Sequence, residues 1–270
     1  MQNAQLQSSY SHTFIVFLRA NILQDFLCLI LIDVAKLKRN IPKNIKMTDY
    51  SLIIRYNKIF SLINNKKNMS ISIPKVGLGT YLISNQELKQ CIPAALKAGY
   101  RHFDTAQVYE NEKGLGLSLA ESLSDQNISR KDIFITSKVF TGNESWGQSP
   151  MSYLETLNSI ETSLEKLQVD YLDLFLIHAP FCQNDRVDQW AAMLEIKKLG
   201  KAKSIGVCNY NISHIEEIKF AGLPLPEANQ IEIHPWCQKT ELASYLKQNN
   251  ISIIAYSSLV PLSNLSLIHI

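Results

Sequence analysis

The first 68 residues contain no glycine and no glutamate, although the chain of 270 holds ten glycines, all of them after Met69. A segment of that length with ordinary globular composition would carry about five. The segment is also unbalanced in charge, with ten Lys/Arg against three acids, whereas the remainder has 17 against 21. The formal net charge of +3 therefore does not describe the folded part. The basic excess lies outside any recognisable domain, which removes the usual charge argument for a nucleic-acid partner. Paired cysteine spacing is missing as well. Cys28, Cys91, Cys182, Cys208 and Cys237 are odd in number and include no CxxC, so neither a disulfide framework nor a bound metal is expected, and a reducing cytoplasm suits the chain. Long apolar runs are absent. The stretch 14–32 is broken by Arg19, Asn21, Gln24 and Asp25 and falls short of the roughly 18 residues a membrane span needs. The first 18 residues carry no charge and no small-residue cleavage site, unlike a secretory signal.

What is present is a rhythm. From Val76 onward, β-rich runs at 76–79, 101–104, 133–138, 171–177, 203–207, 229–233 and 251–256 alternate with helical patterns. The runs are apolar nearly throughout, as in strands covered on both faces. Helices are expected at 86–98, closed by Gly99, at 151–167, at 190–199, closed by Gly200, at 213–221, and at 240–247. Ser213 with Glu216 reads as a capping box for the fourth of these. Such alternation implies a parallel sheet with helical crossovers. A complete (β/α)8 TIM barrel takes about 250 residues, and 202 run from Met69 to the end. The expected fold is thus an α/β TIM barrel truncated after about the seventh strand. The expected organisation is a non-domain extension over 1–68 with a natural start at Met69, an incomplete barrel over 69–262, and an artefactual tail over 263–270. The last six residues, Leu265-Ser-Leu-Ile-His-Ile270, read as a sequencing-adapter scar.

A dinucleotide fingerprint is also lacking. Gly77-Leu-Gly79 has no third glycine, and Gly114-Leu-Gly116 sits inside a helical pattern with no strand before it, so a Rossmann dehydrogenase is disfavoured. The informative polar residues stand at strand ends: Asp104 after the second run, Lys138 after the third and His178 after the fourth, with Tyr109 in the loop after the second. In a parallel barrel these ends share one mouth, where barrel enzymes place their sites. Taken singly, Asp104 reads as a helix cap, Lys138 as a solvated charge, His178 as a core imidazole and Tyr109 as a rim aromatic. Four converging on one mouth point to chemistry.

Seven stretches make the resemblance specific through their order and spacing: Val76-Gly-Leu-Gly-Thr80, Gly99-Tyr-Arg-His-Phe-Asp-Thr-Ala106 with Tyr109-Glu-Asn-Glu112, Thr136-Ser-Lys138, Asp173-Leu-Phe-Leu-Ile-His-Ala-Pro180, Gly206-Val-Cys-Asn209, Asn229-Gln-Ile-Glu-Ile-His-Pro235 and Ala255-Tyr-Ser-Ser-Leu259. Over about 71–260 the chain resembles the aldo-keto reductase superfamily, most closely the bacterial 2,5-diketo-D-gluconate reductases of the B type, which also reduce methylglyoxal. The resemblance implies NADPH-dependent reduction of small aldehydes, ketones or diketo sugar acids by a monomer, with Asp104, Tyr109, Lys138 and His178 as the catalytic tetrad. Tyr109 would be the general acid, its phenol tuned downward by the Lys138 cation, which Asp104 holds. His178 would orient the substrate oxygen. The resemblance also assigns the cofactor contacts: Gln230 and Asn209 to the carboxamide, Tyr256 stacked on the nicotinamide, Gly79, Thr80 and Asp104 under its ribose, and Ser257 and Leu259 along the pyrophosphate. Cys208 stands where the family has serine, and Ala179 where tryptophan commonly follows the histidine. Tyr81, Phe140 and Trp146 are candidates for the substrate wall. Two other readings remain open here: a non-catalytic regulatory barrel, and a short-chain dehydrogenase in which Tyr109 and Lys113 share one helical face.

Overall fold

The computed structural model describes residues 71–259. The expectations for the extension before Met69, the apolar stretch 14–32 and the tail over 263–270 fall outside the described residues. Among those described, seven strands form one parallel sheet in chain order: β1 (Leu78–Gly79), β2 (His102–Asp104), β3 (Phe134–Val139), β4 (Leu172–Ile177), β5 (Ala202–Cys208), β6 (Ala228–Glu232) and β7 (Ser252–Tyr256). The intervening helices are α1 (Asn85–Lys97), α2 (Glu112–Asp125), α3 (Tyr153–Leu167), α4 (Arg186–Lys198), α5 (Ile212–Phe220) and α6 (Thr240–Gln248).

The sheet is rolled. Gln230 on β6 donates through Nε2 to Asp104 Oδ2 on β2 at 2.7 Å. In a flat sheet these strands, four apart, would be separated by about 19 Å. The period of two divides each strand between two cores. On β4, Leu174 and Leu176 face inward with Ala228 and Ile254, and Ile71 joins them. Phe175 and Ile177 face outward and pack with Leu88, Ile160 and Trp190 of the helices. These are the α/β elements and strand order of a TIM barrel, with β1 and β7 outermost among the described residues. No described helix is long and apolar enough to cross a membrane.

Helix α2 was not among the expected helices, and of the helix starts that differ from the sequence reading, two have a clear physical cause. The cap of α5 is Asn211, whose side chain accepts from His214 N in a reciprocal box. Ser213 lies inside the helix and donates to Asn211, and Glu216 accepts instead from Tyr245 and Lys219. Helix α4 begins at Arg186, four residues before the expected 190, because its first turn is buried through polar groups. Arg186 forks onto Glu217 and bonds Pro180 O, and Gln189 bonds Met151 O, so hydrophobic periodicity is blind to it. The Gly114-Leu-Gly116 pair serves helix packing. A Cβ on Gly114 would lie 2.1 Å from Asn85 Oδ1, and one on Gly116 2.5 Å from the Leu167 carbonyl. The pair lets α2 seat against the start of α1 and the end of α3.

Candidate active site

The strand ends bring the four predicted residues together. Lys138, on β3, donates its three ammonium protons to Asp104 Oδ1 at 2.5 Å, Thr105 O at 2.9 Å and Tyr109 Oη at 3.5 Å. Lys138 and Asp104 are both fully buried, and Asp104 spends its second oxygen on Gln230. Tyr109 ends a short 3-10 turn, Gln107–Tyr109, and His178 follows β4. The His178 ring meets the Tyr109 ring edge-on, with centroids 5.6 Å apart. Lys113 is exposed and lies on α2, a different element from Tyr109. The single helical face required by the short-chain dehydrogenase reading does not exist.

Burial dominates the electrostatics. It would push the Lys138 ammonium down, but Asp104, with Tyr109 and Cys208 adding to it, reverses this and holds the group above its ordinary value. Burial also raises the Tyr109 phenol, and Lys138 pulls it back only in part, with Asp104 working against the lysine. The lysine thus lowers the phenol as expected, and burial outweighs it, with the Asp104 carboxylate adding to the rise. His178 is lowered to about 3, first by burial and then by the Lys138 cation, so its imidazole is neutral at working pH. His102, on the interior face of β2, is lowered to about 4 for the same first reason. Unfolded histidines take up protons near pH 6.5, whereas these folded ones refuse them until about 3 and about 4. Their contribution to stability is therefore present above pH 6.5 and lost as pH falls through that window. Urea midpoints should decline from pH 7 to pH 4, and His102→Gln should flatten the decline. A flat wild-type profile would contradict it.

A cleft of about 650 Å³ opens over the tetrad. Tyr109, His178, Cys208, Asn209, Gln230, Tyr256 and Ser257 line it, together with Tyr81, Phe140 and Trp146. Gly79, Thr80, Asp104 and Leu259 do not reach this lining. Thr80 is fully buried and donates to Asn111 Oδ1. Asn111 also bonds the carbonyls of Thr80 and Ile83, so Thr80 belongs to a buried clamp joining the β1 and β2 loops. The Cys208 thiol, pushed up to about 12 by burial, sits 3.8 Å from Gln230 Oε1 and 3.2 Å from Asn209 Nδ2.

A nicotinamide fits this wall. Gln230 Nε2 is committed to Asp104, while among the described residues its carbonyl oxygen has only the long thiol contact, which leaves it able to accept a carboxamide N–H. Asn209 accepts from Tyr256 Oη at 2.8 Å and donates to His178 O at 3.2 Å, fixing the Tyr256 side chain at the rim. Phe181, Glu110, Val108 and Gln148 also line the cleft, and sequence reasoning missed them. Phe181 stands three residues beyond His178 in an irregular segment with no periodicity to flag it.

Glu232, His234 and Cys237 place possible metal-ligand atoms within 4.8 Å of one another. Both His234 nitrogens are already engaged, Nε2 with Glu232 at 3.0 Å and Nδ1 with the Trp236 N–H at 3.3 Å. The N–H facing Nδ1 puts the ring proton on Nε2, so a cation would have to break both bonds.

Comparison with known proteins agrees with this geometry. Residues 75–261 match the family described as Aldo/keto reductase family. The glyoxal reductase of Bacillus subtilis (strain 168) is 40% identical over 196 residues, covering 72% of this chain and 67% of that protein. The methylglyoxal reductase DkgA of Escherichia coli (strain K12) is 37% identical over 188 residues, covering 69% and 64%. Among solved structures, an aldo/keto reductase from Brucella melitensis aligns with a TM-score of 0.63 at 39% identity, covering 71% of this chain and 70% of that one. A putative 2,5-diketo-D-gluconic acid reductase B aligns at 0.61 with 31% identity, covering 69% and 63%. The chain spans about two thirds of the length of the curated relatives it matches.

Proposed function

The chain belongs to the aldo/keto reductase family, and from that premise we propose that it reduces small aldehydes and ketones to alcohols with NADPH. One observation carries the reading: a phenol, a buried ammonium and a carboxylate are linked Tyr109–Lys138–Asp104 at the floor of a cleft beside a neutral imidazole. A reduced nicotinamide, when bound, supplies the hydride. The protein's task is then to deliver a proton to the carbonyl oxygen as charge develops there. Tyr109 Oη is the donor. Its raised pKa keeps it protonated at working pH, and the Lys138 ammonium stabilises the phenolate left behind. Neutral His178 can share the substrate oxygen without competing as a strong acid. Gln230, Asn209 and Tyr256 orient the nicotinamide, and the preference for NADPH over NADH is carried by the family resemblance. Action as a monomer on a small carbonyl compound, in a reducing cytoplasm, completes the reading. The free thiols of Cys91, Cys182, Cys208 and Cys237 support that compartment.

The test is oxidation of NADPH by the purified full chain with methylglyoxal. Saturable turnover that Tyr109→Phe abolishes is expected. Cofactor binding without turnover on any carbonyl would instead favour a regulatory barrel.

A further inference from the structure

The stretch Tyr109-Glu-Asn-Glu112 contributes more than its tyrosine. Asn111 stands at the N-cap of α2, a position where an asparagine side chain ordinarily caps the helix, yet it makes no capping bond. It turns back instead. Its Nδ2 donates to the Thr80 and Ile83 carbonyls at 2.8 and 2.9 Å. Its Oδ1 accepts from the hydroxyls of Thr105 at 2.9 Å and Thr80 at 3.3 Å. Both amide protons and both lone pairs are thereby used, and the bond to Thr105 closes the loop 105–111 on itself. The next residue, Glu112, accepts from Ser137 Oγ on β3 at 2.6 Å. On the other flank of Tyr109, Gln107 Nε2 donates to Ser159 O and Ser163 Oγ on α3 at 2.9 and 3.0 Å. Asn111 and Glu112 are 2% and 1% exposed, so these bonds form in a low local dielectric, where they are strong.

The ties lead to Lys138 from two sides. Thr105, held by its hydroxyl to Asn111, is the residue whose carbonyl receives Lys138 Nζ at 2.9 Å. Ser137, held by Glu112, directly precedes Lys138 on β3. The contact between Tyr109 Oη and Lys138 Nζ, 3.5 Å long, is thus bracketed by a short bonded path on each side. Between Tyr109 and Asn111 the backbone is also bent against its preference. Glu110 has φ 56°, in the left-handed region that is unfavourable for a residue with a Cβ. Such a conformation persists where the surrounding structure over-determines it, and the bonds of Gln107, Asn111 and Glu112 do so here.

We propose that Asn111 and Glu112 are positioning residues: through Thr105 and Ser137 they lock the Tyr109 loop onto the residues that hold and precede Lys138, and so keep the Tyr109 hydroxyl dry and aligned with the ammonium for proton transfer. The proposal rests on the carbonyl-reductase reading and assigns the residues that prepare its acid. Both side chains lie outside the described lining of the cleft and act through Tyr109.

Thr105→Val removes the hydroxyl with little change of shape and leaves Asn111 bonded to Thr80 and to both carbonyls. Ser137→Ala removes the partner of Glu112, and Thr105→Ser is the conservative variant that keeps the hydroxyl. In the full chain, kcat and KM are measured for methylglyoxal with NADPH, and NADPH affinity by fluorescence titration. The Tyr109 phenol is titrated by carbon NMR of protein labelled at tyrosine Cζ, its signal assigned by its loss in Tyr109→Phe. Thr105→Val is expected to lower kcat by about 10- to 100-fold, as a misplacement of about 1 Å does, with KM and NADPH affinity close to wild type. Thr105→Ser should restore kcat. The phenol should titrate at lower pH in Thr105→Val, because burial is the largest influence raising it and a loosened loop admits water. That sign is opposite to the one expected from losing the Lys138 cation itself. Ser137→Ala should move both readouts the same way, and if it fails to fold, Thr105→Val decides alone. The inference is overturned if Thr105→Val turns over at the wild-type rate, if its phenol titration does not move, or if kcat, KM, NADPH affinity and melting temperature all deteriorate together, as a purely structural role requires. Absence of turnover in every protein, wild type included, with a lowered phenol titration in Thr105→Val, would sink the reductase reading and leave the positioning of Tyr109 standing.

Discussion

Lys138→Met is expected to lower kcat/KM by about 10²–10⁴-fold, the range that general acid catalysis supplies, while Lys113→Met leaves it near the wild-type value. Among the described residues, the ammonium is the one cation bonded to the Tyr109 oxygen, and it opposes the burial that raises the phenol. Without it the phenol becomes a weaker acid, and the phenolate formed by proton transfer has no counter-charge. The sign is distinctive. Any alkaline limb in the pH–rate profile should move to higher pH in Lys138→Met, because the contribution that lowers the phenol is gone. Misfolding offers a second route to inactivity, since the substitution leaves Asp104 buried without its cation. The double variant Lys138→Met with Asp104→Asn removes that orphaned charge. It should recover melting temperature and NADPH binding while turnover stays low. Recovery of turnover along with stability would mean that Lys138 acts only as a structural strut. A dead Lys113→Met beside a near-normal Lys138→Met would restore the helical Tyr-x-x-x-Lys reading that the positions of Tyr109 and Lys113 on separate elements oppose.

The sequence carried the strands and the polar residues at their ends for a physical reason. Strands covered on both faces are continuous apolar runs, so a polar residue at the end of a run, such as Asp104 or Lys138, stands out against its neighbours. Helices whose faces are apolar were equally plain. Where burial is polar, legibility ended. The first turn of α4 is sunk by the Arg186–Glu217 pair, and the cap of α5 is chosen by backbone geometry at Asn211 rather than by the first serine in reach. Thr80 is placed under a cofactor by resemblance alone, and the bond of its hydroxyl to Asn111 shows only in the fold. Phe181 stayed hidden because a lone aromatic in an irregular loop has no period, and only three-dimensional packing puts it against Phe140 and Trp146. The pull of Lys138 on the Tyr109 phenol was legible, but the net direction of the shift was not, for a related reason. Sequence names the neighbouring charge, whereas the depth of burial that outweighs it is a property of the fold.

Asp104→Ala is expected to cost roughly 3–5 kcal/mol of folding stability, the usual consequence of removing one partner from a buried ion pair. The Lys138 ammonium is fully buried and would keep only the Thr105 carbonyl and the Tyr109 hydroxyl as partners. Gln230 Nε2 would lose its acceptor at the same time, adding an unsatisfied buried donor. Of a typical domain stability of about 5–15 kcal/mol, that is a large share. The bond from Gln230 also ties β6 to β2 across the barrel interior, so the loss should extend to cofactor binding by freeing the amide that would hold the carboxamide. Asp104→Asn should cost less, because the amide oxygen can still accept from the ammonium. Asp104→Leu combined with Lys138→Met should be more stable than Asp104→Ala alone, since no buried charge is left without a partner. Urea unfolding of the four proteins measures this order. An Asp104→Ala midpoint indistinguishable from wild type would mean that water reaches Lys138, and the closed, dry floor on which the proposed proton transfer depends would go with it.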